Sequence, residues 1–215
     1  QWQHACGFRS ERTFWPYWFQ STPVISSLAL GRDEKQERDL ILVGTGSCNL
    51  ITLNAMTGEP LADIISPYGL PDRIRSHRTD QGELRFLVGH AWLTCGSTVR
   101  AWNSEAREEI RYEKSLQANG RTEDGWDSCA VVDFQISPLS KGQPARVIVL
   151  RHCAVNQITV YDETTAESLW DATLGGAPVA LAIISGETAE QTRCYVAEQF
   201  GGLITFDGHG RRVSA

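Results

Sequence analysis

Long apolar runs are missing from this chain: no stretch approaches the roughly 18 residues that a membrane-crossing helix requires, which argues against such a span. Clustered positive charge is missing too. Twenty Lys and Arg are scattered, singly except for Arg211-Arg212, against 26 Asp and Glu, for a net charge of −6 and a pI of about 5.4. Such a chain has no basic stripe to neutralise a phosphate backbone, so nucleic acid is not an expected partner. The six cysteines (Cys6, Cys48, Cys95, Cys129, Cys153 and Cys194) form no C-x-x-C, and the five histidines (His4, His77, His90, His152 and His209) form no H-x-x-x-H or H-E-x-x-H. A zinc or thioredoxin-like site would need such spacing, and no metal ligand is expected. Walker, dinucleotide-binding and G-x-S-x-G motifs are also missing. Gly44-Thr45-Gly46-Ser47-Cys48 runs from strand to strand and reads as a hairpin, not a phosphate loop. No catalytic residue is nominated; a Ser-His-Asp triad is assembled in space, and sequence does not decide on one.

Sustained helical periodicity is scarce as well. Ser104 to Leu116 scores as a helix on propensity alone, but repeat register predicts a turn and an outer strand there. Methionine is reduced to Met56, the chain opens on Gln1, and no targeting segment is visible, so a processed chain or an excerpt of a longer protein is expected. Each cysteine sits in or beside an apolar strand phrase and is expected to be a buried reduced thiol. That favours a reducing compartment, and so the cytoplasm.

What the chain does have is a repeat. Asn49 to Asn54 (NLITLN), Ser97 to Asn103 (STVRAWN), Asn156 to Asp162 (NQITVYD) and Gly202 to Asp207 (GLITFD) are alternating strands that each close on Asn or Asp. A self-similar all-strand unit of about 45 to 60 residues is the length of a propeller blade, which holds four antiparallel strands. Turn residues and alternation divide the chain into repeats at about 22–66, 72–115, 128–174 and 178–215. The expected fold is all-β: a single β-propeller region of about four blades, as a closed ring or an incomplete one. The second repeat opens on a strongly polar inner strand, Asp72 to Thr79 (DRIRSHRT). An incomplete ring would expose the flat faces of its end blades, and large apolar patches seek a partner.

Val43-Gly44-Thr45 with Leu53-Asn54-Ala55-Met56-Thr57-Gly58-Glu59, and Val160 through Asp162 to Trp170, give an apolar strand, a strand ending in Asn/Asp, a Thr-Gly-Glu-like turn and a Trp. This pattern resembles the quinoprotein-like (pyrroloquinoline-quinone-type, WD40-like) propeller repeat over nearly the whole chain after residue 22. The Thr-Gly pair is intact once, and only repeat three keeps Trp in its outer strand (Trp170). Gln1-Trp2-Gln3-His4 is similar to the end of that outer strand, which implies that residues 1–6 are the outer strand of a preceding blade. The resemblance implies a member of a larger propeller; a cofactor, if one were bound, would be the quinone with calcium. The sequence offers no clear set of cofactor-holding residues, so none is expected.

Two links between repeats carry the candidate binding residues. The first holds Arg9 and Arg12 before the aromatic run Phe14 to Phe19, with Trp15 and Trp18; rigid aromatics beside Arg are typical of binding hot spots. The second, Gln117 to Ser128, holds Arg121, Asp124 and Trp126. The expected role is a non-catalytic scaffold, with a protein partner or the remainder of the same propeller docking on it. The alternative is a ligand-binding or quinone-dependent oxidoreductase propeller.

Overall fold

The computed structural model describes residues 24–66, 70–91, 98–112, 130–152 and 156–213. These residues form sixteen strands and no helix. Blade 1 contains β1 (Ile25–Asp33), β2 (Arg38–Thr45), β3 (Asn49–Asn54) and β4 (Pro60–Ile65). Blade 2 contains β5 (Leu70–Arg78), β6 (Leu84–Ala91), β7 (Val99–Asn103) and β8 (Glu108–Tyr112). Blade 3 contains β9 (Ala130–Pro138), β10 (Ala145–His152), β11 (Gln157–Asp162) and β12 (Ser168–Thr173). Blade 4 contains β13 (Pro178–Ile184), β14 (Arg193–Glu198), β15 (Leu203–Phe206) and β16 (Arg212–Val213). Within each blade, every strand pairs with its neighbour in sequence. The strands follow the alternating segments, with β5 running Leu70–Arg78 rather than the expected Asp72 to Thr79, and the segment after Ser104 contributes β8.

The repeated Asn or Asp has a physical task. Asn54 Oδ1 accepts from the backbone N–H groups of Met56 and Thr57 (2.9 and 3.1 Å). Asn103 does the same for Glu105 and Arg107, both at 3.0 Å. Asp162 accepts from Thr164 and Thr165 (2.9 and 3.0 Å), and Asp207 from His209 and Arg211, both at 2.9 Å. A short side-chain acceptor thus satisfies two turn donors between the third and fourth strand of every blade, a bond that Asx residues make readily.

By internal contacts the chain divides into two units: Gln1–Cys95 with Arg100–Glu109, and Gly96–Val99 with Ile110–Ala215. In the first unit, Ala29, Leu40, Leu42 and Leu50 of blade 1 pack against Ile74, Phe86, Val88 and Trp102 of blade 2. The polar strand β5 contributes only Ile74 to this core, and it approaches blade 1 closely. A Cβ on Gly44 would stand 2.7 Å from the Pro71 carbonyl, so glycine is what lets the two strands meet there. Ser26 and Ser27 donate to that same carbonyl at 2.6 and 2.7 Å.

In the second unit, Ile148, Leu150, Ile158 and Val160 of blade 3 pack on Leu181, Cys194, Val196, Ile204 and Phe206 of blade 4. Each aliphatic side chain buried this way contributes about 1.5–3 kcal/mol. Cys48 and Cys194 are buried free thiols. Burial pushes the Cys194 thiol up to about 12, so it stays protonated and behaves as a small hydrophobe. Cys6, Cys95, Cys129 and Cys153 lie outside the described residues.

Candidate interaction surfaces

All seven residues nominated from sequence (Arg9, Arg12, Trp15, Trp18, Arg121, Asp124 and Trp126) lie outside the described residues, as does the opening segment around Trp2. The sites that can be built here are others.

His90 and His152 close equivalent strands, β6 and β10, but their surroundings differ. His90 Nε2 shares a 2.8 Å hydrogen bond with Ser66 Oγ, and both residues are 1% exposed. A hydroxyl–imidazole pair sealed from solvent has no route to a substrate, and here it ties the end of blade 1 to β6. His152 is exposed and bonds Asn156 through Nδ1 at 2.8 Å. Among the described residues no three His, Cys, Asp or Glu side chains converge as metal ligands.

A groove of about 210 Å³ in the first unit is lined by Asp33, Glu34, Glu83, Glu105 and Glu109 together with Lys35. Its charges are taken up by ion pairs: Lys35 Nζ with Glu83 at 2.5 Å, Arg78 with Glu34 at 3.0 Å and Arg85 with Glu109 at 3.0 Å. The hydrogen bond from Lys35 holds the Glu83 carboxyl below the usual range.

A wider cleft of about 410 Å³ opens between blades 3 and 4 in the second unit. Trp170 forms its floor, donating through Nε1 to the Gly208 carbonyl at 3.0 Å and leaning on Phe206 with ring centroids 6.1 Å apart. Trp170, in the outer strand of blade 3, thus packs on blade 4. Arg146, on the cleft wall, bonds Asp162 Oδ2 at 2.8 Å, and His209 bonds Glu190 at 2.9 Å.

The Asp162 carboxyl sits below the usual range, chiefly because the Thr165 N–H donates to it; the Thr164 N–H and the Arg146 charge add to this against a desolvation penalty. A depressed folded-state value stabilises the fold above the unfolded value of about 3.9, and the gain is lost as pH falls through the folded value. Asp162→Asn keeps a carbonyl for the turn and removes the charge. It is expected to cost about 1 kcal/mol at neutral pH. Urea unfolding of both proteins at falling pH should show the gap closing in acid; a gap that persists there would assign the effect to turn geometry.

The third surface is a whole sheet face. In register, Ala180, Ala182 and Ile184 stand beside Ala197, Tyr195 and Arg193, then Leu203 and Thr205, then Val213. Ile184 is 61% exposed and Leu203 62%, while Leu181 and Phe206 on the opposite side of the same sheet are 5% and 4% exposed. Arg193 sits at the rim and donates to the Glu190 and Thr192 carbonyls at 2.5 and 2.8 Å. Pro178 to Ile184 is an unbroken apolar run, the pattern of a strand covered on both sides.

Register shows what covers that face elsewhere. Counting back from Asp162 and Asp207, Tyr195, Ala197, Leu203, Thr205 and Val213 occupy the positions of Ile148, Leu150, Ile158, Val160 and Trp170. In blade 3 the first four of those are 0% exposed, because blade 4 lies on them. In blade 1 the corresponding Leu42, Leu50 and Thr52 are 1% exposed, and Leu42 and Leu50 pack on blade 2.

No protein-family model and no curated protein sequence matches the chain. Solved structures do. The chain is similar to the computationally designed Ika4 protein (TM-score 0.56, 15% identity, 89% of this chain and 94% of that one). It is similar to BamB from Moraxella catarrhalis (TM-score 0.51, 17% identity, 91% and 51%) and to the WD40 β-propeller domain of Doa1 (0.54, 13%, 87% and 53%). A further likeness is to BBS1N, solved in complex with ARL6DN (0.57, 16%, 96% and 59%). At these identities the likeness shows the fold alone. The chain is a β-propeller of four-stranded antiparallel blades, and it spans about half to three-fifths of the length of BamB, the Doa1 domain and BBS1N.

Proposed function

We propose that this chain is a non-catalytic propeller region serving as a protein-interaction scaffold within a larger protein or complex. One observation carries the reading: blade 4 presents an apolar sheet face to solvent, while the corresponding faces of blades 1 and 3 are covered. An exposed apolar face of this kind marks a protein-binding surface. The structural neighbour BBS1N, in complex with ARL6DN, is a precedent for the fold in a protein complex. The two links bearing Arg9, Arg12, Trp15 and Trp18, and Arg121, Asp124 and Trp126, are proposed as additional contact surfaces by their composition alone.

A native mass spectrum of the purified chain tests the reading. A polypeptide-containing complex is the expected result. A 23.8 kDa monomer carrying a fixed small-mass excess would overturn it in favour of the ligand- or quinone-binding alternative. A bare monomer at every concentration would remove the scaffold reading outright.

A further inference from the structure

We infer that the cleft between blades 3 and 4 binds a short peptide segment bearing a carboxylate beside an apolar side chain, with Arg146 receiving the carboxylate. The inference rests on the scaffold reading and names the chemistry of one contact. The apolar face of blade 4 plays no part in it.

On the wall that Arg146 and Asp162 share, hydrogen-bonding capacity is left over on the donor side. Both oxygens of Asp162 are engaged: Oδ1 accepts from the Thr164 and Thr165 N–H groups and Oδ2 from Arg146. Arg146 donates only through Nη1, to Asp162 Oδ2 at 2.8 Å and to the Ala145 carbonyl at 3.4 Å. Among the described residues nothing accepts from its Nε or Nη2. Those two nitrogens form one edge of the planar guanidinium, and such an edge meets a carboxylate through two parallel hydrogen bonds. The side chain is 19% exposed, so it is partly desolvated and still within reach of a ligand. Asp162 holds its own charge at neutral pH, because the turn N–H groups and Arg146 keep its carboxyl below the usual range. Arg146 therefore offers donors with its charge already balanced. A singly charged carboxylate suits that balance, whereas a doubly charged phosphate would be repelled by Asp162 at close range.

The rest of the lining suits a peptide. Trp170, Leu169 and Leu139 supply apolar surface, with Leu169 48% exposed. Ser140 and Gln143 also line the cleft, and among the described residues their side chains have no partner. A hydroxyl and an amide give both donors and acceptors, which a peptide backbone needs. The volume of about 410 Å³ is small for a folded domain and sufficient for a few side chains. All of these residues belong to the second unit.

The test follows the Trp170 indole N–H by two-dimensional NMR of the whole chain, the signal being assigned by its loss in Trp170→Phe. The probe is the tripeptide Leu-Glu-Leu, acetylated and amidated at its ends. A saturable shift is expected, with a dissociation constant of about 0.1–1 mM. Leu-Gln-Leu has the same shape without the charge, and it should bind about tenfold more weakly. Asp162→Asn supplies the decisive result. Removing the competing carboxylate should tighten Leu-Glu-Leu by roughly threefold, whereas Arg146→Gln should weaken it about tenfold. Circular dichroism should be unchanged in both variants.

An indole signal that stays fixed at millimolar Leu-Glu-Leu would overturn the inference, as would equal binding of Leu-Gln-Leu. Affinity that Asp162→Asn does not raise would overturn it too, since the carboxylate would then lie away from Arg146. Acetate that shifts the signal as far at equal concentration would replace the peptide with a small carboxylate and overturn the assignment. A polypeptide complex in the native mass spectrum, alongside any of these failures, would leave the scaffold reading standing.

Discussion

Phe206→Ala is expected to lower stability by about 3–4 kcal/mol, or roughly 10 °C in thermal midpoint for a chain of this size. Phe206 is 4% exposed, lies in the cluster that joins blades 3 and 4, and supports the Trp170 indole. Removing the ring deletes its transfer energy and leaves a cavity beneath the indole, which is itself fixed by a hydrogen bond to Gly208 and collapses only in part. Leu203→Ala, on the opposite side of the same four-residue strand, is the control. At 62% exposure it should cost no more than about 0.5 kcal/mol in a dilute monomer. Chemical denaturation of both variants at low concentration checks the pair. Equal losses would mean that the two sides of blade 4 are not different in the way the register indicates.

Gly210→Ala should be nearly as damaging, at about 3 kcal/mol, although it adds a single methyl group. Two costs combine. Gly210 has φ of 79°, where an L side chain is strained by about 1–2 kcal/mol. The new Cβ would also stand 2.6 Å from Trp170 Cδ2 and 2.7 Å from Cε3, so the indole must move and weaken its bond to Gly208, worth about 1 kcal/mol. Gly201→Ala separates these costs, since its φ is 90° and nothing lies within 4 Å of the added carbon. It should cost only the backbone strain, about 1–2 kcal/mol. Indole fluorescence should shift in Gly210→Ala and stay unchanged in Gly201→Ala. Equal effects at the two glycines would show that the contact with Trp170 contributes nothing.

The fold was legible because two local rules agree along the chain. Alternation fixes which residues can pair, and Asn54, Asn103, Asp162 and Asp207 fix where each third strand must stop, since their side chains bond the turn that follows. Even β5 obeyed the spacing; its polarity was tolerable because one aliphatic residue, Ile74, was enough to join the core. The surfaces were far less legible. Leu203 and Phe206 look alike in sequence, and only the pairing register reveals that one is covered and the other bare. His90 and His152 occupy equivalent strand ends, yet one is sealed against Ser66 and the other faces solvent. The aromatic and acidic links drew attention by composition, which says what a segment could bind and nothing of where it lies.

Because every strand pairs with the one just before or after it within its blade, the pairing that builds each blade is local in sequence. Loop closure is short at each step, so a blade can form as soon as its own forty-odd residues are available, during synthesis and from the N-terminus onward. Every blade then passes through a stage with one side sealed and the other still wet. The apolar side of blade 4 is at that stage in this structure. It is also the point at which a nascent chain would be most prone to capture by the wrong neighbour.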